Sequence, residues 1–348
     1  MKHLFYVHSH ITFLVSKQYV FDQGINPDDC LFLCTRNYQL PNQMANVFHN
    51  VKAYPDEVLD KGNTRLLQNN NPFKGCKNIK KLESIIQDFF GESDFVYYLP
   101  NAFASDFSSA IVTVPHCKFF YIVEEGTASY VSHEKLPKLF WGWKRPIYYV
   151  LRLILNRYYC LRGDFYSTDH PKYRGTIATT SKAFFDVSGE KIVVSNPFFK
   201  EILSEVPQAI LSIDASLNIY FDIDVATKLY QMLAKIFDEK GYQKIAYKFH
   251  PDFCKKPELM QQYRDLLYQC FGDSIFELQN NSSIENILNA YPIDFYTDLS
   301  SVALYSFLWK GTCYSYARFL SKYSDVYADN VKKMPQVLEH SFSFIDYD

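Results

Sequence analysis

Short apolar runs alternate with amphipathic stretches along most of this chain, and that alternation constrains the fold more than any other feature. HLFYVHS (3–9) reads as a buried first strand, followed by a polar elbow and a helix around Ile11–Phe21. DDCLFLCT (28–35) is a second strand with acidic residues at its mouth. In 76–90, Ile79, Leu82, Ile85, Ile86 and Phe89 recur at helical spacing. SDFVYYLP (93–100) predicts a strand, 103–114 a helix, and CKFFYIVEEG (117–126) a strand running into an acidic turn. The segment 132–205 breaks the rhythm, and 196–207 reads as the crossing between domains.

The alternation then resumes. A strand is predicted over 217–223, and a helix over 224–242 with Asp224 as its cap and Gly241 at its end. A strand over 244–253 ends at His250-Pro251, and helix 257–272, strand 274–279 and a capped helix 282–290 follow. The series closes with strand 293–301 entering a serine turn, then a helix over 302–311. Strands alternating with helices build parallel sheets covered on both faces. Two such series predict two Rossmann-like α/β domains, 1–205 and 206–348, with a ligand bound beyond the carboxyl ends of the strands in a cleft between them.

The length of 348 residues suits two domains, and 36 basic against 38 acidic residues argue against a dedicated nucleic-acid binder. With 30 Phe and 28 Tyr the cores must be largely aromatic. None of the eight Cys forms a C-x-x-C pair, so they read as reduced thiols of a cytoplasmic protein. No apolar run reaches the ~18 residues needed to span a membrane. Leu4–Ser16 mimics a signal sequence, but His8, Ser9 and His10 interrupt it and no cleavage site follows, so secretion is not expected.

Gly-rich phosphate loops of the nicotinamide and P-loop kinds are absent from the sequence. Chemistry is instead suggested at three strand ends. At Glu124-Glu125-Gly126, two carboxylates with a glycine beside them offer a general base for a sugar hydroxyl; most such triplets are solvated turns. In Lys248-Phe249-His250-Pro251, alternation puts Lys248 and His250 on one side of the strand, and proline restrains His250 in an extended conformation. That imidazole suits a phosphate leaving group, or is simply a strand-end histidine. Ser300-Ser301 offers hydroxyls and N–H groups to an anion, or an ordinary helix cap.

In this order the three motifs resemble those of the bacterial sialyltransferases of the two-Rossmann GT-B type, which include lipooligosaccharide sialyltransferases and capsular polysialyltransferases. Those enzymes share a D/E-D/E-G motif in the N-terminal half, an H-P motif in the C-terminal half and a Ser/Thr-rich motif after it. The resemblance covers these short motifs and their order. It implies that Glu124 is the base that deprotonates the acceptor, supported by Glu125 and Gly126. It implies that His250 and Pro251, with Lys248 before them, meet the CMP phosphate, that Ser300 and Ser301 hold it, and that Glu285 binds the ribose.

The activity so implied is transfer of sialic acid from CMP-sialic acid, with inversion, to a galactose or sialic acid hydroxyl of a surface glycan such as lipooligosaccharide or capsule. No metal cofactor is expected, since the sequence offers no H-x-x-x-H or C-x-x-C cluster. His8, His10 and Asn101 are expected to line the cleft, as contacts to acceptor or donor sugar. A transferase using CMP-Kdo or a UDP-hexose, and a noncatalytic glycan-binding protein of the same fold, are the alternatives.

The segment 138–163 combines Trp141, Trp143, Lys144, Arg145, Arg152 and Arg157 with many Tyr and Leu. It reads as a helix lying on the inner face of the cell membrane, suited to a lipid-linked acceptor, as a homodimer contact, or as a buried helix whose Arg stems reach the surface.

Overall fold

The computed structural model describes residues 1–35, 38–53, 72–101, 111–136, 153, 165–250, 253, 256–279 and 282–345. Most of the helix expected over 103–114, nearly all of 138–163, and Pro251 lie outside the described residues. The chain divides into two compact units, Met1–Pro197 and Phe198–Asp348. The boundary thus precedes the expected 205/206. Phe198 packs edge-on against Tyr305 with ring centroids 5.1 Å apart, and the Phe199 N–H donates to Asn286 Oδ1 at 3.0 Å, which ties 198–205 to the second unit.

The first unit is a seven-stranded sheet of β1 (Lys2–Val7), β2 (Cys30–Cys34), β3 (Val51–Ala53), β4 (Phe95–Leu99), β5 (Cys117–Val123), β6 (Tyr173–Ala178) and β7 (Glu190–Val193). The order is β3-β2-β1-β4-β5-β6-β7 and every pairing is parallel. All five residues of β2 and of β4 are buried, as expected of strands covered on both faces. Helix α1 (His10–Asp22) starts at Ser9, whose hydroxyl accepts from the Thr12 N–H. Helix α2 (Pro72–Phe90) buries Leu82, Ile86 and Phe90, a stripe four residues apart.

The aromatic excess becomes a ladder across the sheet. Phe5 is in register with Phe32 on one side and Tyr98 on the other, and Tyr98 with Tyr121. The rings stack in the same sequence, at 4.9, 4.3 and 5.8 Å between centroids. Such pairs contribute about 0.5–1.5 kcal/mol each beyond the area they bury. Cys30 and Cys34 lie buried on β2 as free thiols, and burial pushes both up to about 12.

The second unit holds six parallel strands, β8 (Ala209–Ile213), β9 (Ile245–Phe249), β10 (Ile275–Glu277), β11 (Asp294–Thr297), β12 (Cys313–Ser315) and β13 (Ser343–Phe344), in the order β10-β9-β8-β11-β12-β13. Three helices alternate with them: α3 (Ile223–Glu239), α4 (Pro257–Phe271) and α5 (Ile284–Ala290).

Three sequence expectations fail here. The strand expected over 217–223 is instead a short helix, Ser216–Tyr220, and the first strand is the earlier Ala209–Ile213. The five residues of β8 are all buried between β9 and β11, whereas Ile219 is exposed, so the alternation in LNIYFDI faces no core. The cap of α3 is Asp222, accepting from the Val225 N–H at 3.0 Å, and Asp224 sits inside the first turn. Ser301–Leu308 is a 3₁₀ segment, not an α-helix.

One glycine of this unit has no room to grow. A Cβ on Gly311 would lie 1.8 Å from the Ile293 carbonyl oxygen, a backbone atom fixed at the entry to β11. Gly311→Ala is therefore expected to destabilise the fold by roughly 1–3 kcal/mol, the range of overpacked cores, read as a lower midpoint in urea unfolding.

Candidate functional site

Each sheet reverses its strand order once, at β1/β4 in the first unit and at β8/β11 in the second. Open parallel sheets bind ligands beyond the carboxyl ends of the strands at such switch points. The residues singled out in the sequence follow strands at or beside these two points.

In the first unit, β5 ends at Val123 and delivers Glu124 and Glu125 in succession. The two carboxylates meet different surroundings. Glu124 is wholly buried. Its Oε1 accepts from the Tyr130 hydroxyl at 2.8 Å, and its Oε2 from the Thr179 N–H at 2.7 Å and the Thr179 hydroxyl at 2.8 Å. Burial, and Glu124 beside it, push the Tyr130 phenol well above its ordinary range, so it stays a donor. Gly126 makes this closure possible. Its φ of 117° lies in the region that favours glycine, and the turn that follows, Thr127–Tyr130, brings Tyr130 back over Glu124.

Glu125 belongs to the switch point itself. Asn101, just beyond β4, donates Nδ2–H to Oε1 at 2.6 Å. His8, just beyond β1, brings Nε2 to 3.2 Å from Oε2. The Glu125 side chain is 15% exposed and the His8 side chain 6%. The structure thus brings Glu125, His8 and Asn101 together. The position expected to carry the base, Glu124, is the enclosed one, and its expected support, Glu125, is the one that His8 and Asn101 surround. His10 opens α1 and turns to Tyr38, with Nδ1 3.2 Å from that hydroxyl.

In the second unit, His250 follows β9 and is exposed, its N–H donating to the Ile213 carbonyl at 2.9 Å. Lys248, on β9, donates to the Ser282 carbonyl. Ser283 caps α5, and its hydroxyl donates to Glu285 Oε2 at 2.9 Å. Ser300 caps the 3₁₀ segment through the Val302 N–H, and Ser301 begins that segment. His250 and Ser300 follow strands separated only by β8, which sets them on edges roughly 10 Å apart at two strand spacings.

Sequence reasoning missed what lies between them. Asp214, immediately after β8, accepts from Ser212 Oγ at 2.9 Å, Thr297 Oγ1 at 2.9 Å and the Asp298 N–H at 2.8 Å, with the Tyr316 hydroxyl at 3.0 Å. Asp298 is buried and accepts from Tyr327. Burial, and then Asp214, push the Asp298 carboxyl up to about 8. An acid directly after a continuous apolar run was the available signal, but the misplaced strand hid Asp214.

Among the described residues no group of three or more His, Cys, Asp and Glu could hold a metal ion, and no helix is long and apolar enough to cross a membrane.

Two doubly wound parallel sheets in one chain are consistent with the two-Rossmann GT-B fold. No protein-family model and no curated protein sequence matches the chain. Solved structures do. A sialyltransferase from Photobacterium damsela aligns over 99% of this chain and 81% of its own, at 11% identity and a TM-score of 0.51. The UDP-GlcNAc 2-epimerase of Neisseria meningitidis, bound to UDP-GlcNAc, aligns over 90% and 82%, at 12% identity and a TM-score of 0.49.

Proposed function

We propose that the protein is an inverting glycosyltransferase that moves sialic acid from CMP-sialic acid to a hydroxyl of a glycan. The observation that supports this most is the placement of the three motifs. An acidic pair follows a strand of one Rossmann sheet, and His250 and the Ser300-Ser301 pair follow strands of the other.

The chemistry fits that division. Departure of CMP develops oxocarbenium character on the sugar and negative charge on phosphate. His250, Ser300 and Ser301 supply donors for that charge, and Glu285 is assigned to the ribose hydroxyls. The acceptor hydroxyl needs a base as it attacks. We assign that role to Glu125, because its carboxylate stands at the switch point while Glu124 is enclosed by three donors. Displacement with the base opposite the leaving phosphate inverts the anomeric centre and needs no metal. The acceptor in this reading is a galactose or sialic acid residue of a surface glycan, and 138–163 is assigned to an anionic membrane surface.

The test is CMP release from CMP-sialic acid in EDTA, with and without galactose-terminated acceptors. Release is expected to rise with acceptor and to fall in His250→Ala by about 10²-fold or more, the usual loss when a transition-state donor is removed. CMP binding without turnover of any sugar nucleotide would point to a noncatalytic glycan-binding protein. Turnover of CMP-Kdo or a UDP-hexose alone would replace the donor.

A further inference from the structure

His8 has a second nitrogen that the contact with Glu125 does not use. Its Nδ1 is buried with no hydrogen-bond partner among the described residues, and the same holds for Asn101 Oδ1. These two atoms fix the chemistry of the cluster. An ionised carboxylate only accepts hydrogen bonds, so Asn101 must turn its NH₂ toward Glu125, which leaves Oδ1 facing away. By the same rule the His8 nitrogen that faces Oε2 carries the proton. Tyr6, itself buried, packs edge-on to the ring with centroids 6.2 Å apart and limits its rotation.

We propose that His8 is a positioning residue for Glu125: with Asn101 it holds both carboxylate oxygens, one each, so that the group loses its freedom to turn. This rests on Glu125 being the base. The Glu125 N–H, held by Ser129 Oγ at 3.2 Å, secures the backbone beneath. Each oxygen retains lone pairs for the acceptor hydroxyl.

Two measurements on the full chain test this. The first is ¹⁵N NMR of histidine-labelled protein, with the His8 signals assigned by their loss in His8→Gln. The expected result is an Nε2-protonated ring whose Nε2 signal shifts in Glu125→Ala. An Nδ1-protonated ring, or signals indifferent to Glu125, overturns the proposal.

The second is steady-state transfer. His8→Phe is expected to lower kcat by roughly 10–100-fold, the scale of a catalytic group misplaced by about an ångström, with the donor KM unchanged. His8→Gln, which keeps a hydrogen-bond donor, is expected to recover most of that loss. Equal losses in both variants, accompanied by equal drops in thermal midpoint, mean a structural histidine and overturn the proposal. If the wild-type chain transfers no sugar, the base assignment is rejected, and the NMR result alone decides whether the clamp exists.

Discussion

Glu125→Gln is expected to cut the transfer rate by roughly 10²–10⁴-fold, the contribution of a positioned general base, while leaving the thermal midpoint and CMP binding close to wild type. The amide cannot take the acceptor's proton, yet it fits the same space. Its carbonyl still accepts from Asn101 or His8, and its NH₂, which faces the other donor, is relieved by the side chain's contact with solvent, so its cost in stability stays below that of the wholly buried Glu124 position. Glu124→Gln is expected to behave in the opposite way. Tyr130 and both donors of Thr179 converge on Glu124, and a glutamine NH₂ in that ring would confront a donor with a donor. An unsatisfied buried group costs about 1–3 kcal/mol, so this variant should unfold earlier and keep most of its activity per folded molecule. Activity assays and melting curves on the two variants decide between the carboxylates. A large activity loss in Glu124→Gln at unchanged stability would return the base to the position implied by the motif resemblance.

The reason this choice was closed to the sequence is specific. Adjacent residues leaving a strand point to opposite sides, and a parallel sheet is covered on both faces, so neither side is marked as outward. Only the positive φ at Gly126 and the return of Tyr130, six residues on, show that Glu124 faces inward. Strands written as unbroken apolar runs were easier, whereas the six-residue β6, YRGTIA, is interrupted by Arg174 and Gly175 and went unread within 132–205. CLFLC and FVYYL announce themselves as continuous apolar runs, and the helical stripe through Leu82 and Ile86 was readable from its spacing, although Phe90 and not the expected Phe89 is the buried residue at its end.

Short elements flanked by a better-patterned neighbour were not readable. AILSI lost to LNIYFDI, whose alternation satisfies a strand template but meets no sheet. Strands β3 and β12 have three residues each and β13 has two, too few to show any period. The motif residues were visible one at a time. The clustering of His8 and Asn101 around Glu125 was not, because it depends on β1, β4 and β5 being adjacent in the sheet.

Asp298→Asn is expected to stabilise the protein at pH 8 by up to several kcal/mol, with the gain vanishing toward pH 4. Asp298 is buried beside Asp214, and burial first and the neighbouring charge second raise its carboxyl from 3.8 to about 8. Between those values the folded protein holds a proton that the unfolded chain releases. Stability then falls as pH rises through the window, because the folded state must either keep that proton or bury a second charge against Asp214. Asparagine resembles the protonated acid: it keeps an oxygen to accept from Tyr327 and a donor in place of the acid proton, but has no charge to release. Urea unfolding of both proteins at half-unit steps from pH 4 to pH 8.5 measures the effect. The wild-type free energy should slope downward where the variant's does not, and the curves should meet near pH 4. Parallel curves would mean that Asp298 is ionised in the folded protein. Asp298 directly precedes the turn that carries Ser300 and Ser301, and its backbone N–H is held by Asp214. The proton held by Asp298 therefore removes a negative charge from the approach to the position assigned to the donor phosphate, and the Asn variant is expected to bind CMP at pH 8 at least as tightly as wild type.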